Sequence, residues 1–279
     1  MITTIAELQT RLTEARTESA RVSLISTIGA LHAGHAELIR TAKQLADVVV
    51  VSTFVNPLRF PNPEAAAAYP RSADADEDLM ASMEVDIAFA PTAAELLPSG
   101  ADTIRVSAGA IGLAHEGQRR PFYFDGLLTV EAILFHLVQP DVVVYGERDR
   151  QRTFLVQKMI RDLRFDIEVE TAPTVRTVDG LPVSSRVDLL EPADRAAAAQ
   201  LSRALEAAAS GAGGGVDACI AAAQSALMGE KNITLEYLTI VDPNTFLPVA
   251  EDHRGPGLAL VAATVADHRF IDNAELYIG

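Results

Sequence analysis

The sequence has a single cysteine, no long apolar run and a shortage of basic residues, and each absence excludes a class of protein. Because Cys219 is the only cysteine, the chain cannot form an intramolecular disulfide. No segment contains about 18 consecutive apolar residues, so we predict no membrane span. The 38 acidic residues outnumber the 23 basic ones, and the net charge of −15 argues against general binding to nucleic acid or to an anionic membrane. The N-terminal segment lacks a basic leader with an apolar core, so we expect a cytoplasmic protein.

The sequence does contain strand and helix patterns in alternation. Short apolar, β-branched runs predict buried strands at 22–27, 47–54, 86–90 and 141–146. Helical patterns predict helices at 35–46, 73–83, 126–138 and 149–163. This alternation predicts βαβ units and an α/β fold with a doubly wound parallel sheet. Four prolines in residues 54–72 predict an irregular loop there.

The pattern changes near residue 175. Residues 174–192 predict a loop with an Asp-Gly turn, and two Ala-rich helices follow at about 192–209 and 216–227, separated by a glycine-rich break. Antiparallel strands are expected at 234–242, 258–266 and 269–278. We therefore predict two domains, 1–174 and 175–279, the second a smaller α+β unit.

Two histidines stand where the first strand gives way to a helix. His32 and His35 flank Gly34, and a helix N-terminus with its free N–H groups attracts phosphate. The residues alone are equally compatible with two ordinary surface imidazoles. The other histidines and Cys219 show no ligand spacing, so we do not predict a metal site built by the protein alone.

The segment "STIGALHAGH" resembles the P-T-M-G-A-L-H-x-G-H motif of the pantothenate synthetase (pantoate–β-alanine ligase) family, and H-x-G-H is the nucleotide-binding signature of a wider adenylyl-transferring superfamily. Further segments resemble that family in the same order: "FVNPLRF", "YPRSADAD", "RRPFYFDGLLTV", "VVYGERDRQR", "DGLPVSSR", "YLTIVDP" and "RFIDN". The resemblance extends over nearly the whole chain.

The resemblance implies a Rossmann-like N-terminal domain, a smaller C-terminal lid domain and a homodimer. It implies small-molecule substrates: ATP, which Mg²⁺ accompanies, an acid and an amine. ATP and pantoate would give pantoyl adenylate and pyrophosphate, and β-alanine would then release AMP and pantothenate. Such a reaction needs no protein nucleophile, which agrees with the lack of a G-x-S-x-G motif.

The resemblance also assigns residues to the site. The implied catalytic residues are His32, His35, Arg148, Ser184, Ser185 and Arg186. The implied ATP-binding residues are these six together with Ile28, Gly29, Gly34, Gly146, Asp149 and Val183. The implied acid-binding residues are Ile28, Asn56, Arg59, Tyr123 and Arg152. Asp76 matches an acidic position that implies a role beside Mg²⁺.

Each assignment has a plainer alternative when its residues are read alone. Ser184–Arg186 could be turn chemistry, and Arg148 with Asp149 could be a surface ion pair at a helix start. Asp76 lies in an acidic segment of a kind that usually forms a solvated helix face. Asn56 before a proline could cap a turn.

The acid pocket is where the sequence departs from the family. Arg59 and Arg152 occupy the positions of two glutamines, and Tyr123 occupies that of a histidine. A guanidinium only donates hydrogen bonds and is always charged, so two of them in a pocket need anions nearby. Those anions could be Asp125 or Glu131, or an extra carboxylate or phosphate on the substrate.

These departures leave two alternatives to the pantoate reaction. One is a related ligase for a more anionic acid, held by both arginines. The other is a catalytically silent paralogue that binds nucleotide.

Overall fold

The computed structural model describes residues 1–16, 19–69 and 72–279, so Pro70 and Arg71 of the "YPRSADAD" segment lie outside the described residues. The chain forms two compact units. The first comprises Met1–Glu147 and Gln151–Pro173, and the second comprises Arg148–Arg150 and Thr174–Gly279. The predicted division into a nucleotide-binding domain and a lid stays a prediction.

The first unit is built on a parallel sheet of five strands in the order β3-β2-β1-β4-β5. The strands are β1 (Val22–Thr27), β2 (Val48–Thr53), β3 (Ile87–Phe89), β4 (Val142–Gly146) and β5 (Glu168–Ala172). The apolar, β-branched segments of β1, β2 and β4 suit strands that are covered on both faces. The predicted α/β fold with a parallel sheet is confirmed.

Helices follow the strands in the predicted alternation. They are α1 (Ile5–Ala15), α2 (Ala33–Leu45), α3 (Pro63–Ala67), α4 (Ala73–Ser82), α5 (Ala93–Leu96), α6 (Glu116–Arg119), α7 (Tyr123–Val138) and α8 (Arg150–Leu163). The expectation of an irregular loop at 54–72 was wrong in part. Pro57–Arg59 is a 3-10 helix and Pro63–Ala67 is α3, each with an asparagine cap and a proline in its first turn.

Two hydrophobic clusters cover the sheet of the first unit. The larger includes Phe89, Phe124 and Phe135, and the other includes Ile25 and Ile39. All five side chains are fully buried. Clusters on both sides of a parallel sheet fix the strands, and therefore fix where the carboxyl ends of β1, β2 and β4 point.

The second unit has a sheet of three antiparallel strands in the order β6-β7-β8, with two long helices. The strands are β6 (Thr234–Val241), β7 (Gly255–Val265) and β8 (His268–Ile278), and the helices are α9 (Pro192–Ser210) and α10 (Val216–Leu227). A cluster of alanine, leucine and valine side chains joins the helices to the sheet. The predicted α+β arrangement is confirmed.

The part of the chain that the structure describes contains no helix with the length and hydropathy needed to cross a membrane.

Candidate functional site

A tight loop joins β1 to α2 and carries the two histidines. Its backbone turns at Gly29 and Ala30, which have φ values of 81° and 53°. The Asp76 carboxylate accepts hydrogen bonds from the amides of Ala30 (2.9 Å) and Leu31 (2.8 Å), and from the Ser72 hydroxyl (2.9 Å). Asp76 is buried. The structure thus places this acidic residue as a support for the loop.

His32 and His35 form a reciprocal capping box at the N-terminus of α2. His32 Nδ1 accepts from the Gly34 amide at 3.1 Å, and His35 Nδ1 accepts from the His32 amide at 3.2 Å. The ring centroids lie 4.1 Å apart. Because each Nδ1 accepts an N–H, the neutral rings carry their proton on Nε2, which is then a donor. A Cβ at residue 34 would lie 2.9 Å from His32 Cε1, so this capping arrangement requires glycine.

Gly146 is the last residue of β4, which pairs with β1, so it lies at the carboxyl end of the sheet. The loop after β1 emerges at the same end.

A small pocket, partly open to solvent, lies at the carboxyl ends of β1 and β2. Its lining is Ser26, Thr27, Ile28, Phe54, Asn56, Arg59, Leu127, Val130 and Glu131. The structure therefore brings three of the predicted acid-binding residues, Ile28, Asn56 and Arg59, into one cavity. Both apolar and polar groups face it, a combination that is typical of small-molecule sites.

Asn56 is a fixed part of this pocket. It is buried, its amide nitrogen donates to the Gly126 carbonyl at 2.8 Å, and its oxygen accepts from the Leu58 amide at 3.0 Å. These bonds hold the turn before Arg59 against α7.

Arg152 does not line the pocket itself, but it pairs with Glu131, which does. Its guanidinium donates to Glu131 Oε1 at 2.6 Å and to the Ser26 carbonyl at 2.9 Å. The Tyr145 hydroxyl donates to Glu131 Oε2 at 2.9 Å, and the guanidinium lies 4.7 Å from the Tyr145 ring centre. Burial raises the pKa of Tyr145 well above its usual value, so this phenol stays a donor. Glu131 is thus the anion that the sequence demands for Arg152.

Arg59 has a different environment. Its guanidinium lies 4.4 Å from the centre of the Tyr123 ring and donates to the Tyr123 hydroxyl. Arg120 also stacks on this ring, at 3.7 Å, and pairs with Glu116 at 2.8 Å. Among the described residues, no carboxylate lies within ion-pair distance of Arg59. The other candidate anion, Asp125, instead accepts from the Ala108 amide at 2.8 Å.

The remaining predicted nucleotide residues belong to the second unit. The Arg148 guanidinium donates to the Val183 carbonyl at 2.7 Å, so these two residues are in contact. Ser184 is buried, and its hydroxyl accepts from the Arg186 amide at 3.4 Å. The side chain of Arg186 is exposed, and those of Asp149 and Ser185 are half-buried.

No group of three or more histidine, cysteine or carboxylate side chains that could hold a metal ion occurs in 1–16, 19–69 and 72–279. Both Asp76 oxygens already accept hydrogen bonds. The role of Asp76 beside Mg²⁺ stays a prediction.

Sequence reasoning missed two supporting residues. Tyr145 was read only as part of a strand, although a tyrosine at the end of a buried strand has a hydroxyl that needs a partner. Gln151 is buried, donates to the carbonyls of Ile111 (2.8 Å) and Ala114 (2.9 Å), and accepts from the Glu116 amide (3.1 Å). It fixes the segment before α7 beside Arg152. For Gln151, no local pattern in the sequence indicated this role.

Comparison with known proteins gives matches over nearly the whole length. A family model described as "Pantoate-beta-alanine ligase" matches residues 1–275. The pantothenate synthetase of Leifsonia xyli subsp. xyli is 46% identical over 258 residues, which are 92% of this chain and 90% of the relative. That of Nocardioides sp. is 43% identical and covers 98% of this chain and 84% of the relative.

Solved structures give the same result. The crystal structure of pantothenate synthetase from Thermus thermophilus has a TM-score of 0.90 and 39% identity, covering 99% of both chains. Pantoate–β-alanine ligase from Francisella tularensis, complexed with β,γ-ATP and β-alanine, has a TM-score of 0.79 and 27% identity, covering 98% of this chain and 96% of that one.

Proposed function

Because the chain belongs to the pantoate–β-alanine ligase family, we propose that it is an AMP-forming carbon–nitrogen ligase that makes pantothenate from pantoate, β-alanine and ATP. The observation that carries this proposal is the pocket beside the His32–His35 helix cap, with Asn56 and Arg59 in its wall.

A pantoate oxygen attacks the α-phosphorus of ATP and expels pyrophosphate. The β-alanine nitrogen then attacks the acyl carbon and expels AMP. The protein's part is to position the reactants and to stabilise charge on the phosphoryl group.

In this proposal the first unit binds phosphate at the start of α2. The Nε2 donors of His32 and His35 and the amides of the first turn of α2 supply hydrogen bonds to phosphate oxygens. The loop from Ile28 to Gly29 and the end of β4 at Gly146 frame this position in the same unit.

In the second unit, Arg148 and Arg186 supply charge to the nucleotide phosphates, and Ser184 and Ser185 supply hydroxyl donors. Val183 and Asp149 complete the proposed nucleotide contacts of that unit.

The acid occupies the pocket of the first unit. Arg59 presents a charged donor to it, with Tyr123 holding the guanidinium in place. Arg152 does not bring a second unbalanced charge, because Glu131 neutralises it. An acid with one carboxylate therefore suits this pocket. The comparisons do not favour a ligase for a more anionic acid or a silent paralogue.

Mg²⁺ is proposed to arrive with ATP and to be held chiefly by phosphate oxygens and water, its usual ligands in nucleotide sites. Among the described residues, no group of three or more histidine, cysteine or carboxylate side chains is placed to hold it. A homodimer and a cytoplasmic location are also proposed, by analogy with the family.

The test is pyrophosphate exchange into ATP. We expect the wild type to exchange labelled pyrophosphate into ATP when pantoate is present and β-alanine is absent, and to form AMP once β-alanine is added. Formation of ADP and phosphate would contradict the adenylate route. Exchange with other acids but none with pantoate would contradict the proposed substrate.

A further inference from the structure

The "RFIDN" segment of β8 carries two neighbouring polar residues that the proposed reaction leaves without a role. Asp272 is buried, and its carboxylate accepts two hydrogen bonds from the Arg176 guanidinium, at 2.7 and 2.9 Å. It also accepts from the Ser202 hydroxyl at 2.9 Å. The hydrogen bonds from Arg176 to Asp272 raise the pKa of Arg176. A buried carboxylate with this many donors is a fixed point in the unit.

Arg176 connects Asp272 to a hairpin that consists of residues 175–183. Its guanidinium donates to the Gly180 carbonyl at the hairpin turn at 3.0 Å, and the Ser202 hydroxyl, whose single hydrogen is shared with Asp272, lies 2.8 Å from the same carbonyl. The two arms pair through the bond from the Val183 amide to the Val175 carbonyl, at 2.9 Å. The arm that ends at Val183 leads directly into Ser184.

Asn273 is connected to the same hairpin through Arg148. Its side-chain nitrogen donates to the Arg148 carbonyl at 3.0 Å, and the Arg148 guanidinium donates to the Val183 carbonyl at 2.7 Å. The contacts therefore form a closed ring from β8 through residue 148 to the hairpin and back to Asp272. All of these residues belong to the second unit.

We propose that Asp272 and Asn273 are positioning residues that hold Arg148 and the Ser184–Arg186 loop in the geometry needed for adenylation. This inference rests on the proposed function. Neither residue touches substrate in this scheme. Each acts by fixing one side of the loop, Asp272 through Arg176 and Asn273 through the backbone of Arg148. Reactions that depend on positioning are sensitive to displacements of about 1 Å, which can cost about a hundredfold in rate.

The chain offers variants that separate this role from simple space filling. Asn273→Asp keeps the side-chain shape but replaces the donating nitrogen by oxygen. Asp272→Asn keeps the shape but removes the charge opposite Arg176. Glu236→Gln is the matched control, because Glu236 is a carboxylate on the same sheet that accepts from Thr264 and Arg269, each at 2.8 Å.

The first measurement is amide hydrogen exchange of the peptide covering 181–189 and does not depend on catalysis. We expect exchange there to become about tenfold faster in Asn273→Asp and Asp272→Asn, because one local restraint is lost in each. Glu236→Gln should leave this peptide unchanged. Unchanged exchange in Asn273→Asp overturns the positioning role, whatever the kinetics show, and this variant keeps the test valid should Asp272→Asn not fold.

The second measurement separates the two half-reactions. In Asn273→Asp we expect pantoate-dependent pyrophosphate exchange to fall by about a hundredfold, with aminolysis of pre-formed pantoyl adenylate by β-alanine affected much less. Glu236→Gln should retain both rates. If Asn273→Asp shows faster amide exchange but a wild-type rate of pyrophosphate exchange, the proposed effect of this positioning on adenylation is overturned. Absence of pyrophosphate exchange in the wild type would instead contradict the proposed function, and hydrogen exchange would still decide the positioning role.

Discussion

Arg152 pairs with Glu131, a residue of the pocket wall, and the carboxylate side chain is 2% exposed while the guanidinium side chain is 19% exposed. Removing one member of such a pair leaves a buried charge without its partner. We expect Arg152→Gln to lower the free energy of unfolding by about 3 kcal/mol. Adding Glu131→Gln to it should restore most of this loss, because both charges are then gone. Urea unfolding of the two single variants and the double variant measures the coupling, and additive losses would contradict it.

Arg59 is predicted to act on substrate, in contrast to Arg152. The described contacts of its guanidinium are with the hydroxyl and ring of Tyr123. Replacing Arg59 therefore does not leave a buried carboxylate without its partner. A hydrogen bond to a charged group contributes about 1.5–3 kcal/mol, so Arg59→Gln should raise KM for pantoate by roughly ten- to a hundredfold. Tyr123→Phe, which keeps the ring but not the hydroxyl, should have a smaller effect. Steady-state kinetics with unchanged KM in Arg59→Gln would refute this role.

His115, just before α6, is the residue for which a pH effect is expected. Burial lowers the pKa of its imidazole below the ordinary value of 6.5, and the nearby Glu116 carboxylate opposes this shift only in part. The unfolded chain therefore binds the proton more tightly, and stability falls as the pH drops through 6.5 towards the lower folded value. His115→Gln should reduce this part of the acid loss. Urea unfolding between about pH 7 and pH 5 compares the two slopes, which would be identical if His115 were not responsible.

At the scale of the element, α2 begins with a cap that only glycine at residue 34 permits. Alanine normally stabilises a helix by about 0.5–1 kcal/mol relative to glycine. In Gly34→Ala the new methyl group would displace the His32 ring, whose Cε1 lies 2.9 Å away. We therefore expect ATP binding to weaken by about tenfold or more without loss of fold.

Calorimetry with ATP and Mg²⁺ tests this expectation for α2. Gly213→Ala is the control, because a Cβ there would meet no atom within 4 Å. Wild-type affinity in Gly34→Ala would show that the histidine cap has no part in nucleotide binding.

Most elements were predictable because their residues carry a strong local pattern. The apolar strands β1, β2 and β4, and the helix α10 at Val216–Leu227, lie at or within a residue of their expected limits. The strand β5 was missed because "EVETA" alternates glutamate with smaller residues, and most of its positions stay at least partly exposed at the sheet edge. An edge strand needs little hydrophobicity, so its sequence resembles a loop.

The sequence indicated which residues could form the candidate site, but it did not indicate which of their side chains contact each other. The sequence identified Arg152 as a charge that needs an anion and named Glu131 among the candidates, and the structure brings these two together. It offered Asp125 equally, and only the fold shows that this carboxylate binds the Ala108 amide. Such choices depend on distances between separate segments, which a local pattern does not contain.

At the scale of the whole molecule, the two units serve the proposed reaction in different ways. The parallel sheet places the pocket proposed for the acid and the helix cap at the carboxyl ends of its strands, where doubly wound sheets bind ligands. The antiparallel unit contributes side chains held by buried hydrogen bonds, with Asp272 at their centre. Pocket and loop are thus each fixed by their own core.

The net charge of −15 leads to a prediction about the approach of ATP. The whole-molecule field repels an anionic nucleotide at long range, although the residues proposed to contact it are, apart from Asp149, basic or neutral. Raising the ionic strength from about 0.01 M to about 0.15 M shortens the Debye length from about 30 Å to about 8 Å. The distant repulsion is then screened while contacts within a few ångströms remain. We expect the association rate constant of ATP, measured by stopped-flow fluorescence at fixed free Mg²⁺, to increase over this range. Adenosine, which carries no charge, should show no such increase. An association rate for ATP that falls with salt would mean that the local basic groups, and not the acidic surface, govern the encounter.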